Sequence, residues 1–325
     1  MAQTATHEFF PAAAGKVALV EDSFRHEALF YRGMDGFLDG TLPFICEALE
    51  AGEAVLVAVG EAQAERLADA LGDEAQAVRF LGTEDLGRNP GRLIPTWSRL
   101  VSALAADGRS VRAIGEAVRP GCSAAEFEEC RRHEALLDEA FAGGPSWRLL
   151  CPYDVDGLDA ETIAAARSIH RTVMHEGTSR RNGAFRHRAP GPFDGTLPSP
   201  PSDREELAFT ARGLGAVRSL VARHGERAGL PRSSTEDLVL AVNELVTNSV
   251  QYGGGGGTLR VWRSPGALVC EAHDRGLIRD PLAGRVRPPV DQYGGRGLWL
   301  VNHLCDLVQI RSSLDGTAVR VHMLV

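Results

Sequence analysis

Glu244 and Asn248 stand four residues apart in the stretch Leu238 to Tyr252, LVLAVNELVTNSVQY, whose positions Leu238, Val242, Leu245, Val246, Ser249 and Val250 recur at helical steps. Residues four apart lie one above the other on a helix, so a carboxylate and a carboxamide look into the same space. A carboxylate takes up a proton or holds a hydroxyl. A carboxamide oxygen is a hard ligand for magnesium, which prefers few protein ligands and fills its shell with phosphate oxygens and water. The pair suggests a nucleotide site. The same spacing also fits a solvated helix face with two unrelated polar residues, so the pair needs support from residues downstream.

Two β-like runs, Thr258 to Arg263 and Ala267 to His273, lead into Asp274-Arg275-Gly276, an acid at a strand end beside a glycine that lets backbone approach a ligand. Tyr293-Gly294-Gly295-Arg296-Gly297-Leu298 then opens an apolar helix through Cys305. Glycines before a helix N-terminus leave N–H groups free for phosphate oxygens, and the helix dipole favours negative charge there. Asp306 to Ser312 and Thr317 to Val325 read as closing strands that turn at Leu314-Asp315-Gly316. The five-glycine run Gly253 to Gly257 is a turn in this reading, because it follows the carbonyl end of a helix, where a phosphate is repelled.

The elements that must carry these groups divide the 325 residues into two units. Hydrophobic content of 44% and charged content of 24% are those of a globular protein. A net charge of −8 argues against a broad nucleic-acid surface. No run reaches the roughly 20 apolar residues of a membrane span, and Glu8, Glu21 and Asp22 stand where a secretory leader needs an apolar core, so a cytoplasmic location is expected. Lys16 is the only lysine. The six cysteines show no CxxC and read as small apolar residues.

Residues 1–24 read as an arm, with a brief apolar run at Val17 to Val20. Over 25–175, strands near Ala28–Tyr31, Ala54–Val59, Val78–Leu81, Val111–Gly115 and Trp147–Cys151 alternate with helices. That alternation predicts an α/β unit with a mostly parallel sheet covered on both faces. Glu116, Glu134, Tyr153 and Asp154 fall near predicted element ends, where such sheets place ligands, although each also fits a surface charge or cap. Residues 176–204, rich in proline, glycine and arginine, read as a linker. Residues 205–325 are expected to be α+β, with helices on one face of a mixed sheet; Pro231 to Asp237 hold turn and capping residues before the central helix.

The ordered set ExxxN on a helix, DxG after a strand, GGxGL before a helix and Gly316-Thr317 in a hairpin resembles the Bergerat (GHKL) ATP-binding domain of gyrase, Hsp90, histidine kinases and MutL. AVNELVTNSVQYG and GGRGLWLVNHLCDLV are most similar to the anti-sigma factor serine kinases. The resemblance implies ATP and Mg2+ as cofactors. Asn248 would bind magnesium, Glu244 would orient or deprotonate a hydroxyl, and Asp274 would receive the adenine amino group, with Gly276 beside it and Thr317 in support. Gly294, Gly295, Gly297 and Leu298 would hold phosphates, Arg296 would compensate charge, and Arg279 to Tyr293 would form the lid. DRGLI has one glycine where the family often has DxGxG, and Pro281, Pro288 and Pro289 stiffen the lid.

In the first unit, EAGE at Glu50–Glu53, RAIGE at Arg112–Glu116, HEALL at His133–Leu137 and LCPYD at Leu150–Asp154 resemble the MEDS sensory domain. The layout is also similar to RecA-like ATPases, but no GxxxxGK[ST] phosphate loop occurs, so a sensor of a small ligand or partner is expected. Together the resemblances imply a protein serine/threonine kinase of the anti-sigma type. It would bind a sigma factor and phosphorylate its STAS-domain antagonist, with homodimerisation expected by analogy. A non-catalytic ATP-dependent binding switch is the competing class, and a histidine kinase, for want of a recognisable phosphoacceptor helix before residue 205, the third.

Overall fold

A computed structural model describes residues 24–82, 88–175, 177–186, 193–288 and 295–325. The apolar run Val17 to Val20, Gly294 and the end of the expected lid lie outside them.

The first unit runs β1 (Phe24–Tyr31), α1 (Gly33–Glu50), β2 (Ala54–Ala58), α2 (Glu61–Leu71), β3 (Val78–Phe80), α3 (Leu93–Ala106), β4 (Val111–Gly115), α4 (Ala124–Ala140), β5 (Trp147–Asp154), α5 (Ala160–Ile169), β6 (Thr172–His175) and β7 (Thr178–Arg181). Its sheet has the order β3-β2-β4-β5-β1-β6-β7, parallel except for the final β6–β7 pair. Residues 178–181, expected in the linker, are thus an edge strand added to β6. Strands β2 and β4 are buried at every position, as they must be in a sheet packed on both faces. One face packs Trp97, Phe141 and Trp147, the other Phe37, Phe44, Ile45 and Leu67. Ser123 and Glu126 form a capping box that fixes where α4 begins, and with it the faces presented by Glu129 and Glu134.

The second unit runs β8 (Glu205–Thr210), α6 (Leu214–Ala228), α7 (Arg232–Tyr252), β9 (Gly256–Ser264), β10 (Ala267–Asp274), α8 (Arg296–Leu304), β11 (Leu307–Ser313) and β12 (Gly316–Leu324). The sheet order is β11-β12-β10-β9-β8. A mixed sheet was the expectation; every pairing is antiparallel, because β9–β10 and β11–β12 are hairpins and β8 adds antiparallel to β9. Helix α7 starts at Arg232, so the residues read as a turn before it form its first two turns, with Pro231 at the N-cap supplying a ready-made φ. Leu238, Ala241, Val242, Leu245 and Val246 bury one stripe of α7 against the sheet. Each buried leucine or valine contributes about 1.5–3 kcal/mol relative to exposure. The opposite sheet face carries the buried Arg320–Glu271 pair, and the Arg320 guanidinium also donates to the Pro198 carbonyl, which holds the connector over that face.

The two units meet along α4. Glu129 accepts from Arg311 of β11 at 2.8 Å and from Arg285 at 3.4 Å, and Asn89 donates to the backbone carbonyl of Asn302 in α8 at 2.9 Å.

Candidate nucleotide site

Helix α7 and strand β10 converge at their C-terminal ends, and Asp274 sits in the angle between them. Its Oδ1 accepts from the Gly276 N–H at 2.7 Å and its Oδ2 from the Ser249 hydroxyl at 2.5 Å. A carboxylate has about four lone-pair directions, so acceptor capacity remains for an incoming N–H. The approach is close enough to require glycine twice. A Cβ on Gly253 would lie 2.4 Å from Asp274 Cγ, and one on Gly276 would lie 2.9 Å from Asp274 Oδ1 and 3.0 Å from the Tyr252 carbonyl. Thr317, opposite Asp274 in the β10–β12 register, donates to the Gly276 carbonyl at 2.9 Å and shares a 2.7 Å hydrogen bond with Ser312. The DxG turn is therefore tied to β12.

At the other end of the site α8 begins at Gly295, whose φ of 79° is left-handed and suits a residue without Cβ. Its first turn runs against α7: a Cβ on Gly297 would meet Asn248 Nδ2 and Glu244 Oε2, each at 3.0 Å. The carboxylate and carboxamide of α7 thus lie together beside a helix N-terminus, whose partial positive charge favours anions.

Between these ends lies a cavity of about 520 Å³, lined by Asn248, Ser249, Gly253, Asp274, Gly276, Gly295, Gly297, Leu298 and Thr317, with Leu245, Ala272, Ile278 and Val319 among its apolar walls. Small-molecule sites are commonly about 300–1,000 Å³, mostly apolar, with a few directed polar groups. Of the ten residues singled out in the sequence, Asn248, Asp274, Gly276, Gly295, Gly297, Leu298 and Thr317 border this one cavity. Glu244 packs behind Gly297 rather than on the cavity wall, and Arg296 is exposed at the start of α8, also off the wall.

Residues 279–288 close one side. Asn302 Nδ2 donates to the Gly284 carbonyl at 3.0 Å; Gly284 has φ 77° and would carry a Cβ only 2.8 Å from that of Leu298. Arg285 is buried against Glu129. This flank, the described part of the expected lid, is anchored from α8 and from the first unit.

Sequence reading missed Ser249, Gly253, Asn302 and Glu129. Ser249 falls in the apolar stripe of α7, although its position beside Asn248 is a signal; Glu129 carries none.

Residues 25–171 match the family model of the MEthanogen/methylotroph, DcmR Sensory domain (MEDS), and residues 207–323 match that of the histidine kinase-like ATPase domain. Among solved structures, the RsbU and RsbW domains of Rv1364c from Mycobacterium tuberculosis align with 38% of this chain and 33% of theirs, at 19% identity and TM-score 0.30. An ATPase from the type III secretion system of pathogenic bacteria aligns with 49% of this chain and 57% of its own, at 12% identity and TM-score 0.33. The chain thus spans less than two thirds of either, and neither likeness extends the assignment of the two domains. No curated protein matches the chain. No described helix is long and apolar enough to cross a membrane.

Proposed function

We propose that this chain, a MEDS sensory domain joined to a histidine kinase-like ATPase domain, is an ATP-dependent regulator of the anti-sigma type. In this reading residues 25–175 sense, 176–204 connect and 205–325 bind ATP, transfer its γ-phosphoryl to a serine or threonine of a STAS-domain antagonist, and hold a sigma factor when the antagonist is absent. The observation that supports it best is the meeting of Glu244 and Asn248 at Gly297, beside a cavity that Asn248 and Gly297 line together with Asp274.

Each residue has a definite task. Asp274 accepts the adenine amino group, and Gly276 leaves room for the base to approach. The apolar walls at Leu245, Ile278 and Val319 cover the base. Gly295 and Gly297 present backbone N–H groups to phosphate oxygens. Asn248 is the residue that would hold magnesium, which supplies charge neutralisation at the phosphates. Glu244 orients the incoming hydroxyl and takes its proton as the new O–P bond forms and the bond between the γ-phosphorus and the ADP oxygen breaks. Arg296, at the start of α8, offsets charge on the transferred group. The sensor acts on this site through α4, because Glu129 grips Arg285 of the cavity flank and Arg311 of β11 together.

A non-catalytic switch is the second reading, favoured by one observation: Glu244 stands off the cavity wall. Incubation of the chain with γ-labelled ATP, magnesium and STAS-domain partners separates the two. Acid-stable label on a partner serine or threonine, abolished in Glu244→Gln while nucleotide binding persists, is the expected outcome. Retained nucleotide binding with no transfer to any partner contradicts the kinase reading.

A further inference from the structure

Inside the first unit, four side chains of metal-ligating type converge. His26 of β1, Glu134 of α4, Cys151 of β5 and His170 just after α5 are all buried, and one ligand atom from each lies within 4.8 Å of all the others. Parallel register puts them together: His26 pairs with Leu149 and Ala28 with Cys151, so His26 and Cys151 face the same side of the sheet. Helices α4 and α5 cover that side and bring Glu134 and His170 onto it.

His26 Nε2 is 3.1 Å from Glu134 Oε2 and 3.4 Å from Cys151 Sγ, and His170 Nε2 is 3.5 Å from the same carboxylate oxygen. Zinc bonds of about 2.0–2.3 Å to nitrogen, oxygen and sulfur give tetrahedron edges of roughly 3.3–3.8 Å. These three separations are close to those edges, and no other pair in the cluster exceeds 4.8 Å.

The surroundings also fit. His170 Nδ1 lies 2.8 Å from the Ala166 carbonyl, a contact only an N–H can make, which orients the ring and turns Nε2 into the cluster. That Nε2 is buried and faces the Glu134 carboxylate oxygen at 3.5 Å, longer than an ordinary hydrogen bond. Behind the other ring, Asp138 lies 3.7 Å from His26 Nδ1, the place a supporting carboxylate takes behind a histidine ligand. Tyr153 donates to Glu134 Oε2 at 3.0 Å. A second cavity, of about 320 Å³, reaches Glu134 and Tyr153 from between α4 and α5 and provides an entry path.

The geometry points to a metal site in the sensory domain in which His26, Glu134, Cys151 and His170 bind one divalent transition ion, with zinc the best fit to two nitrogens, one thiolate and one carboxylate. Imidazole and thiolate ligands exclude magnesium and calcium, which take oxygen. On binding, Cys151 gives up its thiol proton and coordinates as thiolate. This inference does not depend on the reading of the nucleotide site, since no residue is shared.

The test uses the purified full-length chain. After equilibration with zinc and removal of free metal, elemental analysis is expected to give about one zinc per chain. Cobalt substitution is expected to give the intense visible absorption of a tetrahedral centre together with a thiolate-to-cobalt charge-transfer band. Cys151→Ser abolishes the charge-transfer band, and His170→Gln lowers zinc affinity by at least tenfold, each with far-ultraviolet circular dichroism unchanged. Cys130→Ser, a buried cysteine outside the cluster, keeps both signals. Should either ligand variant lose its fold, the wild-type cobalt spectrum still decides. Folded wild-type protein that retains no zinc and gives no cobalt–thiolate band overturns the proposal, as does a band that survives Cys151→Ser.

Discussion

Removing the carboxylate of Glu129 tests whether the two units act on one another. Its side chain is 2% exposed and those of Arg285 and Arg311 are 8% and 7% exposed; Glu129 compensates both guanidinium groups, with Glu128 a second, more distant acid for Arg311 at 3.8 Å. Burial and the proximity of Arg311 and Arg132 already push the Arg285 guanidinium below its ordinary pKa. In Glu129→Ala both arginines keep their desolvation cost; Arg285 loses its carboxylate partner and Arg311 is left with Glu128 alone, at 3.8 Å. Breaking a buried pair in this way costs about 3–5 kcal/mol, a large share of the roughly 5–15 kcal/mol that holds a domain folded. With a urea slope of about 2 kcal/mol per molar the midpoint falls by about 2 M. Because Arg285 belongs to the cavity flank, nucleotide affinity falls as well. Glu129→Ala combined with Arg285→Met and Arg311→Met recovers a substantial part of the stability, since no uncompensated charge remains buried. The assay is urea unfolding of wild type, the three single variants and the combined variant, followed by fluorescence and by far-ultraviolet circular dichroism. A loss below about 1 kcal/mol in Glu129→Ala, or a combined variant whose loss equals the sum of its parts within about 0.5 kcal/mol, refutes the reasoning.

Two further outcomes are expected from the geometry. The Glu116 carboxyl, which accepts from Tyr31, Gln63 and the Gly60 N–H, is pushed up to about 7 from 4.5, chiefly by burial. Its folded pKa lies above its unfolded one, so its stabilising contribution is complete below pH 4.5 and is lost as pH rises through about 7. Stability is therefore expected to fall by about 3 kcal/mol between those limits, and Glu116→Gln to flatten that part of the denaturation profile; a wild-type profile with no Glu116-dependent slope contradicts this. Gly297→Ala favours α8 by up to about 1 kcal/mol through helix propensity, yet sets a methyl 3.0 Å from Glu244 and Asn248. It is expected to weaken ADP binding by about tenfold, about 1.4 kcal/mol, with no loss of thermal stability, and titration calorimetry beside a melting curve reads both.

The cavity residues were legible only as an ordered set: ExxxN alone fits a solvated helix face, but ExxxN, DxG and GGxGL in that order picked out Asn248, Asp274, Gly276, Gly295, Gly297 and Leu298, which border one cavity. The alternation of strands and helices over 25–175 was legible because each element buries its own local pattern. What could not be read depends on distant residues. Glu129 meets Arg285 and Arg311 across 156 and 182 positions, and neither arginine differs in its neighbourhood from a solvated one. Glu134 and Tyr153 read equally well as surface groups, and both are buried in the cluster with His26. Cys151, read as a small apolar residue, belongs to that cluster only because β5 pairs with β1. Strand β7 was hidden by its composition: all four of its residues are exposed, so no alternation of apolar and polar side chains marks it.

The central claim is that Asp274, Asn248 and the glycines around them bind one adenine nucleotide with magnesium. Titration calorimetry of the full-length chain with ADP, with and without magnesium and beside Asp274→Asn, tests it most directly. A charge-assisted hydrogen bond contributes about 1.5–3 kcal/mol, so magnesium-dependent binding to the wild type and a loss of about 10- to 100-fold in the variant are expected. Binding that ignores magnesium, or an Asp274→Asn affinity within about twofold of the wild type, contradicts the claim.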